Sequence, residues 1–438
     1  MRGWGRPLSW MPSTQGPIAK GTIRTTFVLG MRLLIQAGTL LLVARMLGPQ
    51  QFGAFTGIAA LAVMLGAFAS FGTNVVLLGE VSKAPGRREE VLKYAVPTTL
   101  SCGGVLLVAY LLICTLVLRE AGVPMMVLLA IGISEIWLQP LFGLPAAEHL
   151  ALGRIARSQM LATLPLLLRL AAAGAVFLVR PDDPLALYAY GYLVASAVAL
   201  TLASATMPAP WPRPATWRVP DKQELRDAVG YASLNITATT PAELDKTLAA
   251  KLLPLSAAGL YAAGARVIGA ATLPVIAMML SALPRLFRDG EDQPQRTRGL
   301  VLKILAVTSL YSIALAVLLW LVAPAFVWIF GTRYEGIQHT IHWLCLAVPG
   351  MALRMAAGGI LMALGRPWIR VGYEIAGLAV LVIAAVLLTA HLGAARMPLA
   401  LACAEWVMAL IGIGYIAIAR SIGGPLQAAT VLGSSDGD

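Results

Sequence analysis

Long apolar runs separated by short polar connectors extend from residue 22 to residue 419. A helix needs roughly 20 apolar residues to cross the hydrocarbon core of a bilayer, and these runs are of that length. The pattern predicts an all-α integral membrane protein with twelve transmembrane helices. The predicted spans are 22–44, 53–78, 93–118, 122–148, 157–179, 185–207, 228–252, 256–284, 300–322, 339–364, 368–391 and 396–419.

One polar connector is longer than the others, is rich in proline and divides the spans into two sets of six. Because six is even, both sets begin on the same side of the membrane, as in a parallel repeat. Asp221 and Glu224 at its end are suited to cap the next helix. The predicted organisation is an N-terminal tail at 1–21, an N-lobe at 22–207, a linker at 208–227, a C-lobe at 228–420 and a C-terminal tail at 421–438.

Two internal repeats support this division. Segment 44–55 aligns with segment 250–261, so that a basic residue, a glycine and an aromatic residue coincide. The tetrapeptide Ala-Leu-Gly-Arg at 151–154 recurs at 363–366. Both repeats have nearly the same separation and lie at equivalent loops, which indicates a duplicated six-helix unit.

The composition agrees with a membrane protein, since 58% of the residues are hydrophobic and only 12% are charged. Soluble domains contain about a quarter charged residues. The net charge of +12 does not indicate nucleic acid binding, because most basic residues fall in loops on one side of the predicted membrane. The excess of basic residues on that side predicts a bacterial inner-membrane protein with both termini in the cytosol. Residues 1–20 contain no continuous apolar stretch of the kind found in a cleaved signal peptide.

Enzyme and cofactor motifs are missing from the sequence, including a P-loop, an HExxH zinc motif and a nucleophile elbow. The four cysteines lie in apolar runs without metal-ligand spacing, so we interpret them as small hydrophobic residues. They are Cys102, Cys114, Cys345 and Cys403. We therefore expect a transporter that is not an enzyme and that needs no metal or cofactor.

Five basic residues fall inside predicted spans, where an unpaired charge costs at least about 2.5–3.5 kcal/mol at the helix centre. They are Arg32, Arg169, Lys246, Arg266 and Arg354. The opening span of each predicted lobe also carries a polar stripe on one helical face. The stripes comprise Thr25, Arg32, Gln36 and Thr39 in the first span, and Asn235, Thr239, Glu243 and Lys246, with Asp245 beside them, in the seventh. Two such stripes on equivalent helices favour a shared hydrated cavity.

The sign of the charge points to an anionic substrate, because guanidinium binds phosphate bidentately and the first span carries no carboxylate. We expect Arg32, Lys246 and Arg266 to bind a diphosphate. Gln36, Asn235, Thr239, Arg169 and Arg354 are further candidates for substrate binding. Glu243 or Asp245 would couple protons or sodium, or would only neutralise Lys246.

An alternative without a cavity remains open. Glu243 and Lys246 would then pair across one helical turn, and the arginines would bond to backbone carbonyls or reach the interface. The single carboxylates Glu135, Glu374 and Glu405 are interpreted as local pairs or interfacial groups.

Several short motifs occur in a characteristic order. They are ARMLGPQQFG at 44–53, FGTN at 71–74 leading to Glu80, DK at 245–246, GLY at 259–261, FGTRY at 330–334 and ALGR at 363–366. With them, almost the whole chain resembles the polysaccharide-type flippases of the multidrug/oligosaccharidyl-lipid/polysaccharide exporter superfamily. The resemblance implies two six-helix lobes, alternating access and a cationic cavity. The chain lacks the two extra C-terminal spans of peptidoglycan-precursor relatives and the first-span carboxylate of drug exporters.

The predicted function is therefore the movement of a polyprenyl-diphosphate-linked oligosaccharide from the cytosolic to the external face, for surface polysaccharide biosynthesis. The lipid bilayer and the lipid-linked oligosaccharide are the expected partners, polysaccharide polymerase or assembly proteins are candidate partners, and no nucleic acid is expected. The alternatives are a cation-coupled multidrug or metabolite exporter, a membrane glycan polymerase or ligase, and a non-transporting component of a polysaccharide assembly complex.

Overall fold

The computed structural model describes residues 17–276, 278–279, 282, 294–392 and 396–421, and it describes side chains from residue 30 onwards except at a few helical positions that include Asn235. Helices make up most of this part of the chain, and no strand occurs in it. The first seven are α1 Pro17–Ala69, α2 Thr73–Lys83, α3 Arg88–Leu116, α4 Met125–Gly132, α5 Gln139–Ala151, α6 Ile155–Val179 and α7 Pro184–Ala205. The second seven are α8 Lys222–Leu252, α9 Leu255–Ala271, α10 Pro294–Phe330, α11 Ile337–Leu344, α12 Ala347–Ala363, α13 Pro367–Leu392 and α14 Met397–Ser421.

All twelve predicted spans fall on helical segments, although the end of the eighth span lies partly outside the described residues. Among the described residues, nine helical segments are long and apolar enough to cross a membrane. A tenth candidate is the pair α11 and α12, which is bent by 43°. Helix α8 is not among them, because its polar stripe makes it less apolar than the rest. The prediction of an all-α membrane protein is confirmed.

Helix α1 contains the first predicted span and most of the second, which are separated by a break in the backbone; the end of the second span continues in α2 after a turn at 70–72. Gly48 has φ 70° and ψ 170°, so the helical geometry is interrupted there. Positive φ is readily available to glycine, and the following Pro49 has no backbone N–H to continue the hydrogen-bond ladder. The Gly-Pro sequence therefore ends one span and starts the next.

The described residues form two compact units. The first takes the described residues of Met1–Met46, Leu65–Leu111 and Pro124–Ala232, and the second takes those of Leu47–Met64, Leu112–Val123 and Ser233–Asp438. The linker and the start of α8 thus group with the first unit, whereas the segment after Gly48 groups with the second. The lobe boundaries at 207 and 228 remain a prediction, and the two tails lie largely outside the described residues.

The repeated Ala-Leu-Gly-Arg tetrapeptide forms the same turn at both of its positions. Gly153 and Gly365 have φ 72° and 69°, a region that favours glycine. In each copy the arginine N–H donates to the carbonyl five residues earlier, from Arg154 to His149 and from Arg366 to Leu361, both at 2.9 Å. This is the hydrogen-bond pattern of a Schellman helix end. The sequence repeat is thus also a repeat of backbone structure.

The longer repeat brings its two glycines together inside the second unit. A Cβ atom on Gly53 would lie 2.1 Å from the carbonyl oxygen of Leu255, and one on Gly259 would lie 1.9 Å from that of Pro49. Neither distance is compatible with a side chain, since packed carbon atoms prefer about 3.5–4.0 Å. The repeat therefore marks a contact of backbone on backbone between α1 and α9.

We expect Gly259→Ala to destabilise the protein by more than the ~1–3 kcal/mol of ordinary overpacking, because only backbone could move to make room. Gly269→Ala is the matched control on the same helix, since a Cβ there meets nothing within 4 Å. Thermal unfolding in detergent, with monodispersity after extraction, measures the effect. Equal stability of the two variants would contradict the close contact.

The linker is fastened to the first unit at several points. The Arg218 N–H donates to the Lys93 carbonyl at 3.1 Å, and the Arg218 guanidinium lies 4.8 Å from the Tyr94 ring centre. Arg218 also binds both carboxylate oxygens of Glu224, at 2.8 and 2.5 Å. This hydrogen-bonded pair lowers the pKa of Glu224 and raises that of Arg218. Both groups are consequently charged at neutral pH, and the pair is lost only when the pH falls below the ordinary range of a glutamate.

The predicted cap on α8 is confirmed, because Asp221 and Glu224 bond to each other's backbone N–H groups at 2.7 and 2.8 Å. This reciprocal arrangement is a capping box. The cap and the Arg218 contacts together fix the end of the linker.

We expect Arg218→Ala to expose the linker, because it removes the ion pair and the ring contact together. Cleavage by endoproteinase Lys-C after Lys222, at the exposed end of the linker, should become several-fold faster at pH 7 than in the native protein. Arg213→Ala is the control, since this exposed side chain in the same linker makes no ion pair within the described residues. An unchanged cleavage rate in Arg218→Ala would show that the linker is held by its other contacts.

Candidate functional site

The five intramembrane basic residues do not share one kind of environment. Arg169, Lys246 and Arg354 are each bound by carboxylates of their own unit. Arg32 and Arg266, within the part of the chain whose side chains are described, have no such partner. The first three cations are therefore neutralised inside the protein, Arg169 and Arg354 by carboxylates of other helices and Lys246 by carboxylates of its own helix.

In the first unit, Arg169 of α6 joins three consecutive spans. Its guanidinium lies 2.9 Å from a carboxylate oxygen of Glu135, donates to Ser196 of α7 at 3.1 Å and lies over the ring of Tyr192 at 3.9 Å. The Tyr192 hydroxyl donates to the same Glu135 carboxylate. Arg169 is thus neutralised in the apolar interior, as a buried charge must be.

An unusual helical segment positions Glu135. Between α4 and α5, residues Ile133–Leu138 form a π-helical turn, which is rare and frequently occurs at functional sites. A Cβ on Gly66 would lie 2.2 Å from the Glu135 carbonyl oxygen, so glycine is needed where this wide turn packs. The Trp137 indole N–H donates to the Leu100 carbonyl at 3.1 Å and anchors the other face.

In the second unit, Arg354 of α12 is bound by carboxylates from two other helices. Its Nε donates to Glu405 of α14 at 2.6 Å, and its Nη1 lies 3.7 Å from Glu374 of α13. All three residues are almost completely buried. Arg370, one turn before Glu374, also binds that carboxylate at 2.9 Å. The last three spans of this unit are thus connected by an ion-pair network.

Lys246 of α8 lies in a compact group of charges. Its ammonium is 3.2 Å from Asp245 and 3.6 Å from Glu243, and it donates to the Ala242 carbonyl. Tyr261 of α9 donates to the second oxygen of Asp245 at 2.8 Å. The alternative that Glu243 and Lys246 pair across one turn is confirmed for this conformation. Two carboxylates surround one ammonium, so the group carries one negative charge in excess when all three are ionised.

Arg32 and Arg266 differ from these residues. Arg32 is half-buried on the first segment of α1, and Arg266 is exposed on α9. Lipid would penalise either cation unless water or an anion reached it. They are therefore the cations most open to an added ligand.

The structure describes most, but not all, of the other polar side chains of the two predicted stripes. Gln36 is exposed one turn after Arg32, and Thr39 donates its hydroxyl back to the Ile35 carbonyl at 2.8 Å. Thr239 is half-buried on α8. The side chain of Asn235 lies outside the described residues, so its assignment remains a prediction.

Glu135, Glu374 and Glu405 have larger roles than the interfacial groups or local pairs considered from the sequence. They are the buried counterions of Arg169 and Arg354. A signal was available, because a buried arginine needs a carboxylate and few carboxylates occur in the same half of the chain. No group of three or more His, Cys, Asp or Glu side chains in the described part of the chain is arranged to hold a metal ion.

The model of one protein family, described as polysaccharide biosynthesis protein, matches residues 18–288. The chain belongs to the polysaccharide biosynthesis protein family. The match covers more than half of the sequence and includes Arg32, Arg169, Lys246 and Arg266. No sequence among the curated proteins matches this family member.

Solved structures show which fold this polysaccharide biosynthesis protein adopts. An inward-facing multidrug resistance MATE family transporter of the MOP superfamily superimposes with a TM-score of 0.72 at 14% identity, covering 93% of this chain and 99% of that one. The lipid II flippase MurJ, in an inward closed conformation, gives 0.71 at 11% identity, covering 91% and 89%. A MOP superfamily transporter from Pyrococcus furiosus gives 0.63 at 13% identity, covering 91% and 94%. The chain shares the fold of these transporters and of MurJ, and together with the family match this fold confirms the resemblance seen in the motifs.

We expect Arg354→Met to destabilise the second unit by about 3–5 kcal/mol, because Glu405 would remain buried without its counterion, while Glu374 would keep Arg370. Adding Glu405→Gln should recover part of the loss, since it removes that uncompensated charge. Thermal unfolding of the purified protein measures both. Arg266→Met is the control and should leave the unfolding temperature nearly unchanged. Independent, additive effects of the two substitutions would contradict the pairing.

Proposed function

We propose that this protein is a flippase that moves a polyprenyl-diphosphate-linked oligosaccharide from the cytosolic to the external face of a bacterial inner membrane by alternating access. The family match places the chain in polysaccharide biosynthesis, and the fold is one that solved transporters and a flippase share. On this proposal both termini lie in the cytosol, as the loop charges predict. The product would serve the assembly of a surface polysaccharide.

The observation that carries the proposal is the unequal pairing of the intramembrane cations. Arg169 and Arg354 are neutralised by buried carboxylates, whereas Arg32 and Arg266 have no carboxylate partner within the described side chains. A structural arginine is expected to have a counterion inside the protein. An arginine without one is suited to an anion that comes and goes, such as a diphosphate, to which guanidinium donates two parallel hydrogen bonds.

In this proposal Arg32 and Arg266 bind the diphosphate, with Gln36, Asn235 and Thr239 as neutral hydrogen-bonding groups. Lys246 joins them only in a state in which Asp245 and Glu243 release its ammonium. Those two carboxylates are also where a proton or sodium ion would bind, because the group has one negative charge in excess. Binding of a cation there would weaken their hold on Lys246 and thereby link the ion to the substrate.

The test is the restoration of surface polysaccharide in a strain that lacks this protein. We expect Arg32→Ala and Arg266→Ala each to reduce surface polysaccharide at least about tenfold, because a hydrogen bond to a charged group contributes ~1.5–3 kcal/mol. Lipid-linked precursor should accumulate, while the amount of protein in the membrane stays normal. Surface glycan, precursor and membrane protein are quantified in the same cells.

Arg119→Ala is the matched control, since Arg119 is exposed in the turn that follows α3. Arg32→Lys should restore only part of the activity, because an ammonium lacks the bidentate geometry of guanidinium. Full activity of both alanine variants would overturn the assignment of the diphosphate site. Normal export of precursor together with failed polysaccharide assembly would instead favour a non-transporting component of the assembly complex.

A further inference from the structure

An apolar groove runs along the second unit, where α10, α12 and α14 meet. Its volume is about 600 Å³. The residues that shape it include Ile313, Val317, Trp320, Leu346, Pro349 and Trp406. A volume in this range is typical of sites for small molecules.

The groove lies at membrane depth. The apolar segment Gly299–Phe330 reaches a mean hydropathy of 2.6 over its best window, and only 17% of that window is buried inside the protein. Ile313 and Val317, which line the groove, are 55% and 54% exposed. Because the bilayer core contains no water, a surface of this kind is covered by hydrocarbon.

Two tryptophans that line the groove are hydrogen-bonded within the protein, one through its indole N–H and the other through its backbone carbonyl. The Trp406 indole N–H donates to the Leu346 carbonyl at 2.9 Å. The Trp320 carbonyl accepts from His342 Nε2 at 3.1 Å, and the two rings stack with centres 4.2 Å apart. The Trp406 indole, whose N–H is already bonded, therefore offers mainly apolar surface to an occupant.

A second, polar cavity of about 330 Å³ adjoins this groove at the junction of α10 and α11. Glu335, Gln338, His339 and His342 line it. His342 lines the polar cavity and its stacking partner Trp320 lines the groove, so this stacked pair lies between the two spaces. A polar cavity next to an apolar groove fits an amphipathic molecule with its head in one and its chain in the other.

We propose that the groove holds the isoprenoid chain of the lipid carrier, with the polar part of the lipid near His339 and His342. This rests on the proposed function, in which the substrate has a single isoprenoid chain. The groove is a single trough between three helices, which suits a lipid with one chain better than a phospholipid with two. In the proposed topology the junction of α10 and α11 faces the external side, so the groove receives the carrier after translocation.

The native Cys403 is a built-in reporter for this site. Cys403 lines the groove and is exposed, whereas Cys345 lines it but is buried. Cys102 is half-buried on α3 in the first unit and serves as the internal reference. The full-length protein would be placed in nanodiscs of one phospholipid and labelled with a membrane-partitioning diazirine, whose carbene inserts into C–H and S–H bonds and needs no thiolate, and labelling at each cysteine would be quantified by mass spectrometry.

We expect a synthetic polyprenyl diphosphate carrying one sugar to reduce the labelling of Cys403 at least threefold and to leave Cys102 unchanged. Ala316→Phe, which narrows the groove, should abolish this protection. Ala314→Phe is its control, since Ala314 is exposed on the same helix and does not line the groove. A straight-chain alkyl diphosphate of the same carbon number, carrying the same sugar, tests whether the isoprenoid chain is needed.

Absence of protection by the polyprenyl lipid would overturn the proposal. Equal protection by the straight-chain lipid would also overturn it and would leave a general hydrocarbon groove. These results are distinguishable from failure of the proposed function, which is judged by precursor build-up in the Arg32 and Arg266 variants. A protected Cys403 in a protein whose Arg32 and Arg266 variants export normally would mean that the chain binds lipid carrier without using the proposed diphosphate site.

Discussion

The central constraint on this structure is that a charge in the bilayer core must have a counterion. Arg354 satisfies it with Glu405 at 2.6 Å, and Arg169 satisfies it with Glu135 at 2.9 Å. Each pair connects two different spans, so helix packing within each unit is fixed by charge as well as by shape. The hydrophobic effect contributes little to helix association in lipid, because lipid tails are as apolar as the helix surfaces, so van der Waals packing and polar contacts between helices determine it.

The two units meet this constraint in related ways that are not copies of each other. In the first unit the arginine is on the fifth span and its carboxylate is on the fourth, where a π-helical turn presents it. In the second unit the arginine is on the tenth span, and the eleventh and twelfth each supply a carboxylate. The last three spans are connected by buried charge in both cases. Both units thus contain buried ion pairs between their last three spans, although the arginine and its carboxylates lie on different spans in the two units.

The helices were predictable because local sequence determines them. Apolar runs set the spans, Gly48 and Pro49 set the break in α1, and the Ala-Leu-Gly-Arg repeats set two identical turns. The partners of the buried arginines were not predictable in the same way, since Arg169 and Glu135 are separated by several turns and by a loop. The need for glycine at Gly53 and Gly259 could not be predicted from the sequence either, because only the folded chain shows that backbone packs against each of them. The local sequence pattern therefore predicts the helices and turns. The ion pairs and backbone contacts between separate helices are seen only in the three-dimensional structure.

The location of the charge pairs also bears on how transport could proceed. Each buried arginine and its carboxylates lie within a single unit, so these pairs can persist while a transporter changes conformation. Breaking such a pair would leave an uncompensated buried charge and would cost about 3–5 kcal/mol, which makes it a poor step in a transport cycle. Arg32 and Arg266 carry no such penalty, because they have no carboxylate to lose within the described side chains. Their charge can therefore be matched by a substrate that arrives and leaves. The same physical rule explains the structural role of Arg169 and Arg354 and is the reason for proposing a binding role for Arg32 and Arg266.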